Sequence, residues 1–176
     1  MSTEDVLSFD GFDAIEVHNS MSVEYSNYTD DSAFYEYFLR AGGHSVPIAA
    51  DDCHFDDGDK PSYEYFKEFN IVKAPSLSYE NIINALKCGA TYASTEPLFE
   101  NLWIENDILH VECSPVCGVH VHAKHINHVC FHKESTDCIT KTEFDISGAR
   151  SKAPYIWVQL SDTRGKKAWS MPFWFK

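Results

Sequence analysis

The sequence has no apolar run approaching the ~20 residues that cross a bilayer, and no basic-then-apolar leader at its start. That predicts a soluble, cytoplasmic protein with no membrane partner. It has only 8 Gly and 7 Pro, too few for a low-complexity or collagen-like chain, and no internal repeat. Cations are scarce in one half. Residues 1–70 hold 16 acidic and 3 basic side chains, while residues 71–176 hold 11 of each. An acidic half repels phosphate backbones, so nucleic acid is excluded as a partner. The signatures of several enzyme classes are absent: no G-x-S-x-G, no glycine-rich phosphate loop and no H-E-x-x-H.

What is present suits a folded chain of 176 residues and 20.0 kDa, long enough to bury a core. Its 12 Phe, 9 Tyr and 4 Trp exclude intrinsic disorder. The net charge of −13 is mostly solvated surface, with some carboxylates available to cations. The six cysteines, Cys53, Cys88, Cys113, Cys117, Cys130 and Cys138, are expected as free thiols in a reducing compartment. The sequon at Asn27 carries no weight without secretion.

The chain divides by pattern. Ala14-Ile15-Glu16-Val17-His18 predicts a short strand. Phe34, Tyr35, Phe38 and Leu39 follow at helical spacing, and Gly42-Gly43 supplies a stop. Val46-Pro47-Ile48-Ala49-Ala50 predicts a buried strand. Strand, helix, strand over this length implies parallel pairing. Residues 55–77 read as loop. Ser78 is expected to cap a helix with Ile82, Ile83 and Leu86 inward, ending before Gly89. Beyond it, Asn106-Asp107 and Asp162-Thr163-Arg164-Gly165 each sit between alternating apolar runs and predict hairpins. The expected fold is α/β followed by β, with residues 1–97 as one domain and 98–176 as a small antiparallel, sandwich-like one.

Two groups of residues carry chemistry. Asp51-Asp52-Cys53-His54 falls just past the carboxyl end of the second strand, where α/β folds place their sites. Asp52 and His54 form a D-x-H pair whose oxygen and nitrogen donors suit Zn, Mn or Fe. The second group is His120, His122, His125, His128 and His132. His120 and His122 would share a strand face, near Cys113, Cys117 or Cys130. No spacing in that run is a structural zinc pattern, so surface histidines are the plainer expectation.

The pieces in order resemble one family. Phe12 through Asn19 resembles a strand of the polymerase and histidinol phosphatase (PHP) domain phosphoesterases, and Val46 through His54 resembles their D-D-x-H strand. Lys73-Ala74 with Leu77 through Gly89 is similar to a helix of theirs, and Tyr92 through Pro97 to the segment after it. Pro154 through Val158 and Asp162 through Pro172 resemble the family's closing strands. The resemblance covers nearly the whole chain, but only the back part of the family.

It implies the late strands of a distorted β/α barrel and hydrolysis of a phosphate ester by metal-activated water. Asp52 and His54 would bind a divalent ion (Zn, Mn or Fe), and Asn19 would line the cleft. The family's early H-x-H has no counterpart here. The resemblance therefore implies weak or absent metal and no activity for this chain alone. A partial barrel also exposes an open edge, which predicts self-association through residues 12–50 or a separate missing half. A non-catalytic binding module and one half of a split enzyme are the alternatives. Glu96 stands where the family has Gly, and Trp157 where it usually has Arg.

Overall fold

In a computed structural model of the protein, residues 3–9, 11–26, 30–53, 65–124 and 131–175 are described. The chain forms two compact units, Met1–Thr95 and Glu96–Lys176. It is mostly antiparallel β with few helices.

In the first unit, a short helix α1 (Thr3–Leu7) precedes strand β1 (Ala14–Asn19). Helices α2 (Ser20–Ser26) and α3 (Ser32–Arg40) then lead to strand β2 (Val46–Ala50). β1 and β2 pair in parallel, from Ala14↔Val46 to Asn19↔Ala50, as the strand–helix–strand pattern predicts. α3 turns Tyr35, Phe38 and Leu39 inward, and these join Val17, Val46 and Ala49 in a buried cluster. Each large apolar side chain there contributes about 1.5–3 kcal/mol by leaving water. Tyr35 keeps its hydroxyl satisfied by donating to the Ser45 carbonyl at 2.9 Å. α3 stops where Gly42 takes φ +98°, a conformation costly for a residue with a Cβ. Gly43 lies under the Phe38 ring, where any Cβ would come within 2.2 Å of it.

The segment read as loop holds a strand, β3 (Phe69–Val72). It is only 4 residues long, with Asn70 inside it and Ile71 exposed, so it lacks the apolar alternation that marks a strand. Helix α4 (Tyr79–Lys87) connects it to β4 (Thr91–Ser94), its antiparallel partner. The Ser78 Oγ accepts the Asn81 N–H at 3.3 Å, the expected N-cap. Gly89 closes the helix at φ +74°. Ala85 is fully buried, and the predicted inner residues Ile82, Ile83 and Leu86 flank it half-buried.

The second unit is built on one long strand. β5 (Phe99–Glu105) turns into β6 (Ile108–Ala123), which pairs with β7 (Phe131–Asp145) along its other edge. A short helix α5 (Ser147–Arg150) precedes β8 (Tyr155–Ser161), β9 (Lys167–Ser170) and β10 (Phe173–Trp174). β5 and β8 share one edge of β6: β5 takes residues 108–113 and β8 takes 118–123. β9 and β10 pair with β8. Every pairing is antiparallel, as expected, but the strands form one hydrogen-bonded sheet rather than the two layers of a sandwich.

Leu109, Val111, Cys113, Val116, Val119 and Val121 point inward from β6. Register shifts on both sides of Val116 keep the apolar set on one face over 16 residues. β8 is buried on both faces, with Tyr155, Ile156, Trp157 and Val158 at most 1% exposed. Both predicted hairpins form. Asn106 and Asp107 take φ +51° and +63°, the paired positive values of a type I′ turn. At the other, the Asp162 Oδ1 accepts the N–H groups of Arg164 and Lys166, both at 2.8 Å. β7 was not evident in the sequence, because its first half is polar and reads as surface loop.

Candidate functional site

The carboxyl ends of β1 and β2 bring together the residues named first in the sequence. The two adjacent aspartates after β2 have different employment. Asp51 accepts three backbone N–H groups, from Phe66 at 2.7 Å, Lys67 at 2.9 Å and Glu68 at 2.7 Å. Its carboxylate thereby holds the start of β3 against the end of β2. Its own carbonyl accepts the Ser20 hydroxyl at 3.1 Å, tying the loop to the end of β1. Asp52 instead takes φ +54° and is exposed. Aspartate tolerates this left-handed conformation better than most residues. It places Asp52 at the rim of the parallel pair, while Asp51 does the structural work. His54 lies outside the described residues.

Asn19 stands at the carboxyl end of β1, as the pattern predicts. Its side chain is engaged locally. Oδ1 accepts the Ser22 N–H at 2.9 Å, capping α2, and Nδ2 donates to the Glu16 carboxylate at 3.0 Å.

The sequence reading missed a buried acid beside these residues. The Glu68 side chain is 1% exposed, and Oε1 lies 3.0 Å from the His18 Nδ1. Burial of a carboxylate is costly without a partner, and the imidazole supplies one. Glu68 Oε2 has no hydrogen-bond partner among the described residues. Asp31 faces the same histidine. Burial and the neighbouring Asp30 push its carboxyl above the ordinary value, opposed by His18. His18 and Glu68 are far apart in sequence, and no spacing links them, so only the fold pairs them. Among the described residues, no three His, Cys, Asp or Glu side chains are arranged to hold a metal ion.

Beside β1 lies an open concavity of about 700 Å³. Phe9, Phe12, Ile15 and Phe34 form its apolar wall, with Glu16 and Asp31 at its margin.

The histidine run is split. His120 and His122 share the half-exposed face of β6, as expected. The His122 ring stacks on Trp157, with centroids 4.0 Å apart and planes at 8°. His110, on the same face, stacks on Trp103 at 4.5 Å and lies 3.0 Å from Glu143. His120 folds back over Gly118, where a Cβ would meet its Nε2 at 2.7 Å. These histidines are therefore packed into the sheet's surface. His125, His128 and Cys130, and the side chain of His132, lie outside the described residues. Cys113 is buried, and burial, then Glu100, push its thiol up to about 11. Its side chain packs among the buried residues of β6.

No protein family, curated protein or solved structure matches the chain.

Proposed function

We propose that the chain carries the late strands of a PHP-type phosphoesterase, with Asp52 and His54 as ligands of a divalent Zn, Mn or Fe ion. The reaction is hydrolysis of a phosphate ester. The bound ion lowers the pKa of a water and offsets charge on the phosphoryl oxygens. One observation carries this reading. The D-D-x-H segment follows the end of a parallel strand in a strand–helix–strand unit, and Asp51 is consumed by three backbone N–H groups while Asp52 stands at the rim. A structural aspartate next to an exposed one is the arrangement that lets the second serve a ligand.

Two donors hold an ion loosely, since catalytic zinc generally takes three protein ligands plus water. The chain by itself should bind Mn²⁺ weakly and hydrolyse an aryl phosphate no faster than buffer with the same metal. The test is a Mn²⁺ titration followed by the electron paramagnetic resonance signal of the free ion. Wild type should deplete that signal at high micromolar protein, while Asp52→Ala and His54→Ala should not. Equal binding by all three proteins would overturn the assignment.

A second reading, a binding module without catalysis, is favoured by the apolar concavity beside β1. Separately, the open edge of a partial barrel predicts self-association through residues 12–50. Sedimentation showing a clean monomer at high micromolar concentration would count against that.

A further inference from the structure

The concavity beside β1 opens at the amino-terminal half of that strand, at the other end from Asn19. Its volume of about 700 Å³ lies within the roughly 300–1,000 Å³ of small-molecule sites. Phenyl rings from Phe9, Phe12 and Phe34 and the Ile15 side chain make its wall. Phe12 packs against the buried Phe38 ring, with centroids 5.8 Å apart, so part of this wall is anchored to the core. Phe9 is 57% exposed, which leaves aromatic surface in water for a ligand to cover. The charge around the concavity has one sign. Residues 1–53 contain 11 Asp and Glu and a single Lys or Arg, Arg40. Arg40 is already engaged by Glu36, with Nε 2.7 Å from the carboxylate. Glu16 and Asp31 stand at the margin. The Asp31 carboxylate does not cap α3, although the residue occupies the N-cap position. Burial and the Asp30 carboxylate, opposed by His18, hold Asp31 above its ordinary pKa, and a cation at the margin would offset the repulsion from Asp30.

We infer that this concavity binds a small organic ammonium ion with an apolar body. The inference rests on the reading of the chain as a binding module, and it adds the chemical class of the ligand. The ligand's apolar part covers the phenyl wall and leaves water. Its ammonium group lies at the margin against Glu16 and Asp31, and the negative faces of the phenyl rings attract the same charge. An anionic ligand would meet carboxylates, with Arg40 already held by Glu36. A neutral ligand gains from the wall alone. A small hydrophilic cation gains from the margin alone and keeps its water there.

Phenylbutylammonium is the probe, compared with neutral phenylbutanol and anionic phenylbutanoate, which share its apolar part. Ethanolammonium, a cation without that part, is the control. Each is titrated at neutral pH into the isotope-labelled full chain, and the amide shifts of Phe9, Ile15, Glu16 and Phe34 are followed. Phenylbutylammonium should bind in the millimolar range and roughly three- to tenfold more tightly than the alcohol, with the other two weaker still. Glu16→Gln and Asp31→Asn should each weaken the ammonium by about two- to fivefold and leave the alcohol unchanged. Phe9→Ala should weaken both. Circular dichroism establishes that each variant keeps the fold, and the comparison of probes on wild type needs no variant. The inference is overturned if the alcohol binds as tightly as the ammonium, an outcome under which the binding-module reading still stands. It falls together with that reading if none of the phenyl probes moves these shifts. Ethanolammonium binding as tightly as the phenyl amine would show charge attraction alone and overturn it too. So would shifts at these residues that follow protein concentration and ignore the probe, which would assign the concavity to a second copy of the chain.

Discussion

The side-chain amide of Asn70 makes both hydrogen bonds that a neighbouring strand would make to Ala49. Nδ2 donates to the Ala49 carbonyl at 2.9 Å, and Oδ1 accepts the Ala49 N–H at 3.0 Å. A residue that strands disfavour is kept in β3 because its side chain completes the edge of β2. Asn70→Ala should lower stability by about 1–3 kcal/mol, the cost of leaving two backbone groups unsatisfied. Asn70→Asp should be at least as damaging at neutral pH, because a carboxylate then faces the Ala49 carbonyl. Urea unfolding of the three proteins checks both statements.

The neighbouring aspartates should separate cleanly by what they lose. Asp51→Ala removes the acceptor of three backbone N–H groups, and stability should fall by roughly 2 kcal/mol or more. Asp52→Gly sits at φ +54°, where glycine is at ease, so stability should stay within about 1 kcal/mol of wild type while Mn²⁺ binding is lost. Equal destabilisation by the two changes would remove the distinction between a structural and a ligand-bearing aspartate.

Gly43 and Phe38 form a packed pair in which the ring occupies the place of a Cβ. Gly43→Ala should cost about 1–3 kcal/mol by overpacking. Adding Phe38→Leu vacates part of that space, so the double variant should be less destabilised than the sum of the two single changes. A double-mutant cycle from thermal melts provides the measurement, and strict additivity would contradict the packing.

Glu96 adopts φ +156° and directs its carboxylate to Arg164, with Oε1 2.6 Å from the guanidinium. Glycine reaches that backbone conformation without the strain a side chain carries. Both Glu96→Gly and Glu96→Ala lose the arginine contact, so comparing them isolates the backbone. The glycine variant should be the more stable by about 1 kcal/mol, the reverse of the usual order. Melting temperatures of the pair decide it.

Asp162 should contribute a pH-dependent part of the stability. Burial raises its pKa, but the N–H groups of Lys166 and Arg164 and the Arg164 guanidinium outweigh burial and leave it below the ordinary 3.8. A carboxyl depressed on folding stabilises the fold above its unfolded pKa, and that stability is lost as pH falls through the folded one. The stability difference between wild type and Asp162→Asn should therefore be constant above about pH 5 and shrink below 3.8. A difference that grew in acid would show the opposite shift.

Local chemistry made much of this fold readable. Strands β1 and β2, α3 with its Gly42 stop, the Ser78 cap and both tight turns each follow from residue types within a few positions of one another, and the order strand–helix–strand gives the parallel pairing. What was not readable depends on distant partners. β3 is a strand because it pairs with β4 and because Asn70 serves Ala49. The polar start of β7 is held by pairing to β6. The same division runs through the candidate site. Asp52 was legible from the D-x-H spacing and its place after a strand. The contrasting role of Asp51 required knowing where the N–H groups of residues 66–68 come to rest. The His18–Glu68 pair joins side chains from opposite ends of the first unit's central stretch, with no local signature.

The division of one edge of β6 between β5 and β8 has a bearing on the order of assembly. β5 is joined to β6 by a turn of two residues, a contact that forms on the microsecond scale once the chain collapses. β8 reaches the same edge only after the whole of β7 and α5 has been laid down. Its arrival closes a long loop, and the entropy of that closure is met only when the two buried faces of β8 are filled. Trp157 and Trp169 are buried there together, on the last strands to dock. The fluorescence of Trp157 and Trp169 would therefore report the final step of folding in this unit, while Trp103, on β5 and stacked on His110 beside the Asn106–Asp107 turn, belongs to the first.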